Sequence, residues 1–193
     1  MFPKVVIRKH FIIRMVLFTC FGLLCMSVGA KNKQSDEYSE SMVRAAVIFG
    51  ILRFTEWPNT SEIKSVVHLC TLGKSPSSQA IRNLEKTPSI GQRTVLVSVD
   101  VDPKKLEQCD AIIVGRGASI PDKPKKPVLW ICDECRQVND KFYAIKLILK
   151  DKRIQFNVNL DNINEQSINL SSSLIELAAY CFSSDPNIRL CND

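Results

Sequence analysis

Apolar and polar positions along this chain follow first a helical period, then strand periods, and the changes fall at identifiable residues. From Val43 to Pro58 the apolar residues Val43, Val47, Ile51 and Phe54 recur at helical spacing, which predicts a helix with one stripe toward a core. Asp36 or Ser39 is placed to cap its start. Pro58 ends it, because the residue before a proline is pushed out of the α region. The last turn carries Arg53, Phe54, Glu56 and Trp57, two charges and two large rings at one helix end. From residue type alone, Phe54 and Trp57 read as core and Arg53 and Glu56 as solvated.

Beyond a loop at Asn59–Glu62, Lys64–Leu72 is a β-branched run closed by Gly73, which reads as a buried strand. Pro76–Lys86 reads as a helix with Ala80, Ile81 and Leu84 inward. Thr94–Val99 is a second strand, Pro103–Gln108 a short helix, Asp110–Val114 a third strand closed by Gly115, and Pro127–Ile131 a fourth. Strands that alternate with helices, each a near-continuous apolar run, predict an α/β domain whose mostly parallel sheet carries helices on both faces. The pattern then changes. Ala144–Leu149 and Arg153–Asn159 alternate apolar and polar across Lys150–Lys152, which predicts an antiparallel hairpin at the sheet edge. A loop at Leu160–Asn169 leads to a last helix, Leu170–Tyr180, with Leu170, Leu174, Leu177 and Ala178 inward.

Residues 1–30 stand outside this pattern. Lys4, Arg8, Lys9, His10 and Arg14 precede an apolar run, Met15–Met26, and Val28-Gly29-Ala30 supplies small residues. That order is a secretory signal peptide with cleavage after Ala30. The run is short for a membrane span of about 20 residues, and Leu24 before Cys25 is too large for a lipoprotein site. Residues 31–40 are polar and read as a flexible terminus, leaving 41–193 as one domain. Removing four Lys/Arg and no acid lowers the net charge from +6 to +2. The basicity belongs to targeting, so a nucleic-acid footprint loses its support. Six cysteines remain, Cys70, Cys109, Cys132, Cys135, Cys181 and Cys191, and an even count in an exported chain predicts disulfides.

Val43–Pro58, through Phe49, Phe54, Glu56, Trp57 and Pro58, resembles the opening signature of the YfiR family of periplasmic regulators. Val67–Gly73 resembles that family's first strand, and Gln108–Gly115 its cysteine-headed third strand. Arg153–Asn159 and Ile168–Leu174 resemble its closing strand and helix. The match covers most of residues 40–180, and the order and spacing of the motifs carry more than any one of them. Two departures stand out. Asn139–Ala144 lacks the family's glycine, and Cys132, Cys135 and Cys191 do not follow its second cysteine pair cleanly. The resemblance implies a periplasmic protein that represses an inner-membrane diguanylate cyclase through its periplasmic sensor domain, and so acts on cyclic-di-GMP signalling and biofilm regulation. It also implies an outer-membrane lipoprotein partner that titrates the repression away. Related modules sit on membrane kinases, so the alternative is a small-molecule sensor acting on a histidine kinase. Neither reading needs a cofactor, a metal or a reaction performed by this chain.

The residues agree on the absence of assembled chemistry. His68 is the only histidine after residue 30, and it lies in an apolar strand, which gives neither a triad nor four zinc ligands. Gly73-Lys74-Ser75 resembles the end of a phosphate loop, but the earlier glycine position is His68. Gly115-Arg116-Gly117 follows a strand, yet Pro121 and Pro124 stand where a dinucleotide-binding helix would open. Cys70 on the first strand and Cys109 at the head of the third can approach, because those strands are neighbours in a doubly wound sheet. The family pattern pairs Cys70 with Cys109. Cys132 and Cys135 form a Cys-x-x-Cys at a strand end, where thiol oxidoreductases keep theirs. Asp133 and Glu134 between them raise a thiol's pKa, which favours a structural pair over redox catalysis. Cys181 and Cys191 form a possible second pair that would tie down the tail.

A partner surface is expected at the carboxyl ends of the strands. Asp161–Asn169 sets Ile163 and Ile168 among polar neighbours such as Glu165. They are either a contact surface or folded back onto the core, and the resemblance favours contact. Arg53, Phe54, Glu56 and Trp57 would line a pocket beside them, suited to a small aromatic ligand. A homodimer is compatible with the chain, though no pattern points to one.

Overall fold

The computed structural model describes residues 33–58, 65–84, 88–120, 125–136, 142–185 and 191, with side chains from residue 40 onward. Residues 37–193 form one compact unit. The signal segment at 1–30, the loop at 59–62 and residues 139–141 lie outside the described residues.

Helix α1 (Lys33–Arg53) leads into β1 (Thr55–Glu56) and β2 (Val66–Leu72). There follow α2 (Pro76–Arg82), β3 (Ser89–Ile90), β4 (Arg93–Ser98), a 3-10 turn at Pro103–Gln108, β5 (Ala111–Val114) and β6 (Leu129–Asp133). The closing half is β7 (Ile145–Lys150), β8 (Arg153–Asn159), α3 (Leu160–Glu165), β9 (Asn169–Leu170), α4 (Ser172–Glu176) and β10 (Tyr180–Phe182). Eight strands form one sheet in the order β10-β8-β7-β6-β5-β2-β4-β3, and β1 and β9 pair separately. β4, β2, β5, β6 and β7 are parallel neighbours, and β7–β8 is an antiparallel hairpin. Its two turn residues, Asp151 and Lys152, both take positive φ (50° and 61°), the conformation a tight hairpin turn demands.

Register assigns the faces. Leu69, Ala111 and Leu129 are partners across β2, β5 and β6, as are Ile131, Ile145 and Val158 across β6, β7 and β8. They share one face with Ala45, Ile48, Ile51 and Leu52 of α1, Ala80 and Ile81 of α2, Ile163 of α3 and Leu174 of α4. The intervening residues Cys70, Ile112 and Trp130 share the other face, covered by Leu106 of the 3-10 turn, Tyr143 and Phe142. Trp130 is fully buried there and meets Phe142 edge to face at 4.6 Å. The α-helices thus gather on one face, and the 3-10 turn and loops close the second.

The structure corrects several boundaries. The hairpin is not the edge of the sheet, because β10 adds to β8 in parallel. Helix α1 begins at Lys33, upstream of both expected caps, and stops at Arg53 well before Pro58. Its end is local: the Ile51 carbonyl accepts from Phe54 N (3.1 Å) and from the Thr55 hydroxyl (2.8 Å). Thr55 then enters β1 opposite Leu170. The expected inward stripe holds at Ile51, which is buried, and at Val47, which packs against the core, but not at its ends. Val43 is 46% exposed and Phe54 41%, while Arg44, Ala45, Ile48 and Leu52 are buried. Part of the expected loop at 160–169 is α3, capped by the Asn159 side chain accepting from Asn162 N. The last helix is shorter than expected, so Leu177 is exposed rather than inward.

Candidate functional site

Two rims of the sheet collect the residues of interest. At the amino ends of the parallel strands, the signature segment is fastened to the disulfide-bearing strand. The Trp57 Nε1–H donates to the Asp110 carbonyl at 2.9 Å, directly after Cys109. The Asp110 carboxylate is itself buried. One oxygen accepts the His68 backbone N–H (2.9 Å) and the other pairs with Lys126 Nζ (3.1 Å). Arg93 Nη1 donates to the Thr55 carbonyl, and Ser171 N donates to the Phe54 carbonyl, so β1 is held from two sides.

The expected contact loop meets this segment through the β1–β9 pair, Thr55 with Leu170 and Glu56 with Asn169. It does so at the rim opposite to the one expected. β8 runs antiparallel to β7, so the chain leaving β8 emerges at the amino ends of the parallel strands. Gln166 marks the place by accepting from Val128 N just before β6 (3.1 Å). Ile163 and Ile168 are 4% and 2% exposed and belong to the core, so neither forms a contact surface. Trp57 is buried too. Arg53, Phe54, Glu56 and Glu165 are the expected site residues that face solvent. The Arg53 guanidinium lies 5.9 Å from the Phe54 ring centroid, within cation–π range.

The carboxyl rim holds a cluster that the periodicity does not reveal. Arg44 is 3% exposed and Asp133 is fully buried. Arg44 Nη1 meets Asp133 Oδ1 at 2.7 Å, its Nε meets Glu40 Oε1 at 2.8 Å, and its Nη2 lies 3.8 Å from Glu134. The other Asp133 oxygen accepts the Ser77 backbone N–H at 3.0 Å and the Ser77 hydroxyl. Glu134 also pairs with Arg116 at 3.2 Å. Burial pulls the Arg44 guanidinium pKa down, but the Glu40 hydrogen bond and the Asp133 charge outweigh it and leave the pKa above its ordinary value. Beside the cluster, Gly115 N donates to the Leu72 carbonyl, and Lys74 and Arg116 exchange backbone bonds. A Cβ on Gly115 would lie 2.4 Å from Lys74 backbone atoms, so this crossing admits only glycine. The sequence signal for the cluster was an arginine inside an apolar helix and an acid at the end of an apolar strand. Neither names its partner.

Three disulfides close the fold: Cys70–Cys109, Cys132–Cys135 and Cys181–Cys191. The first joins β2 to a residue between the 3-10 turn and β5, as expected, and the third ties the tail to β10. A disulfide-closed α/β module is therefore the class of protein. Its tryptophan signature is hydrogen-bonded next to its sheet disulfide. Over residues 41–179 the chain matches the family model described as YfiR/HmsC-like, and it belongs to that family. No curated protein matches the chain.

Proposed function

We propose that this chain is a periplasmic regulatory protein of cyclic-di-GMP signalling. In this reading it represses an inner-membrane diguanylate cyclase by binding the cyclase's periplasmic sensor domain. The observation that carries the reading is membership of the YfiR/HmsC-like family over residues 41–179. Two features support it: the signal-like order of residues 1–30, and three disulfides, which persist in oxidising compartments. Among the described residues no helix is long and apolar enough to cross a membrane. The output is binding, with no reaction performed by the chain, and an outer-membrane lipoprotein would compete for it.

The test is a pull-down of the protein against membranes of its own cell, with cyclic-di-GMP measured alongside. Recovery of a cyclase whose output falls when the protein is added supports the proposal. Recovery of a histidine kinase without a cyclase moves the function to a sensor. One observation favours that second reading. The exposed Phe54 ring with Arg53 beside it is a surface on which a small aromatic ligand can stack. Phe54→Ala should then weaken ligand binding without loss of fold, and unchanged binding removes the ligand from this surface.

A further inference from the structure

Helix α1 carries a second apolar side, turned to solvent. Its inner side, Ala45, Ile48, Ile51 and Leu52, is buried in the core. Met42, Ala46, Gly50 and Arg53 follow one another at helical spacing and line the opposite side, with Val43 beside them. Met42 is 39% exposed and Val43 46%, Ala46 and Arg53 are exposed, and Gly50 is half-buried. The row is tall at its ends and low in its middle, a saddle whose floor is Ala46 and Gly50. A glycine inside a helix weakens it relative to alanine, and nothing within the chain requires one at position 50. A Cβ there would meet nothing within 4 Å, and the backbone is not left-handed. What the bare backbone permits is the close approach of a second helix, its side chains crossing the saddle. Among the described residues this face carries one charge, Arg53, which lies over the Phe54 ring and makes no ion pair. Glu40, the acid nearest the face on α1, is bonded to Arg44 at 2.8 Å. A second copy of the chain would therefore bring no free acid to Arg53. Packed parallel it sets Arg53 against Arg53, and packed antiparallel about Ala46 it sets Arg53 near the apolar Met42. The charge selects a foreign helix that carries a carboxylate.

We propose that the Met42–Arg53 face of α1 is the docking site for an α-helix of the membrane partner's periplasmic domain, one with an apolar stripe that crosses Ala46 and Gly50 and a carboxylate that pairs with Arg53. The inference rests on the reading of this chain as a repressor and names the surface that repression uses. Covering Met42, Val43 and Ala46 removes exposed apolar surface from water, which drives the association. The pair at Arg53 fixes the register and direction of the incoming helix.

The pull-down of the cyclase, repeated with variants, tests it. Gly50→Leu fills the saddle without striking a neighbour, so its melting temperature should equal or exceed that of the wild type. Its recovery of the cyclase should fall by about tenfold or more. Arg53→Glu should give a similar loss by setting like charges together. A photo-crosslinking residue in place of Met42 should join α1 to a helix of the cyclase's periplasmic domain, mapped by mass spectrometry. If the wild type and Gly50→Leu recover the cyclase equally, or if the adduct joins two copies of this chain, the docking site is refuted while the repressor reading stands. If the wild type recovers no cyclase, the repressor reading fails and the inference falls with it. Should Gly50→Leu not fold, Arg53→Glu and the adduct decide.

Discussion

Asp133→Ala isolates the buried ion pair. The carboxylate is fully buried, 2.7 Å from Arg44, and accepts the Ser77 N–H at 3.0 Å. Removing it leaves the guanidinium in the interior and strips the Ser77 amide of its acceptor. Breaking a buried pair from one side costs about 3–5 kcal/mol. Glu40 keeps its 2.8 Å bond to Arg44 and is about one-third exposed, which eases the remaining charge. The lower end, about 3 kcal/mol, is therefore expected, equivalent to a melting temperature lower by about 6–12 °C in a domain of this size. Urea titration without reductant, followed by the fluorescence of Trp57 and Trp130, measures it. The companion variant Arg44→Met/Asp133→Leu removes both charges and should cost less than the two single changes summed. A loss under about 1 kcal/mol for Asp133→Ala, or full additivity in the double variant, would refute the argument that this pair is buried and coupled.

Three further outcomes are expected. Cys70→Ser/Cys109→Ser opens a loop of sequence separation 39 and should cost about 4 kcal/mol in chemical denaturation. Gly115→Ala forces a Cβ into Lys74 backbone and should cost about 2–3 kcal/mol, read by thermal melting. The Asp161 carboxylate accepts from the Ser184 hydroxyl, the Ser183 hydroxyl and the Ser184 N–H, which lower its pKa below the ordinary 3.8. A carboxylate with a depressed folded pKa contributes its hold above the unfolded value and loses it as pH falls through the folded one. The Ser183–Ser184 segment should therefore stay anchored above about pH 4 and loosen below it. Asp161→Asn should abolish that pH dependence in amide chemical shifts of Ser184, and an unchanged profile would assign the transition elsewhere.

The strands were legible because each is a short apolar run closed by glycine or polar residues. β2, β4, β5 and β6 fall within a residue or two of the pattern, and the Pro103–Gln108 turn falls on it. The opening signature was legible as a string, and residue type placed Trp57 inside and Arg53 and Glu56 outside, with Phe54 the one departure. Trp57 turns inward because Asp110, far along the chain, offers a carbonyl at the right height, while Phe54 is left outside. Helix α1 shows how periodicity can place the middle of a stripe, Val47 and Ile51, and miss its ends. Counting only apolar residues placed Val43 and Phe54 inward, yet the buried side includes Ser41 and Arg44. A charged residue faces inward only when its counter-charge waits there, and that partner, Asp133, is 89 positions away.

Local pattern by itself determined most of the strands, the α/β class and the hairpin, since each depends on neighbours within one or two turns of chain. Tertiary structure alone decided which rim the Asp161–Asn169 segment occupies, and that β10 rather than the hairpin forms the sheet edge. It also decided that Ile163 and Ile168 are core and that two carboxylates inside a Cys-x-x-Cys hold α1. The reason is common to all of these. Strand direction, helix phase and the pairing of buried charges are set by contacts between residues distant in the chain, and no local period encodes them.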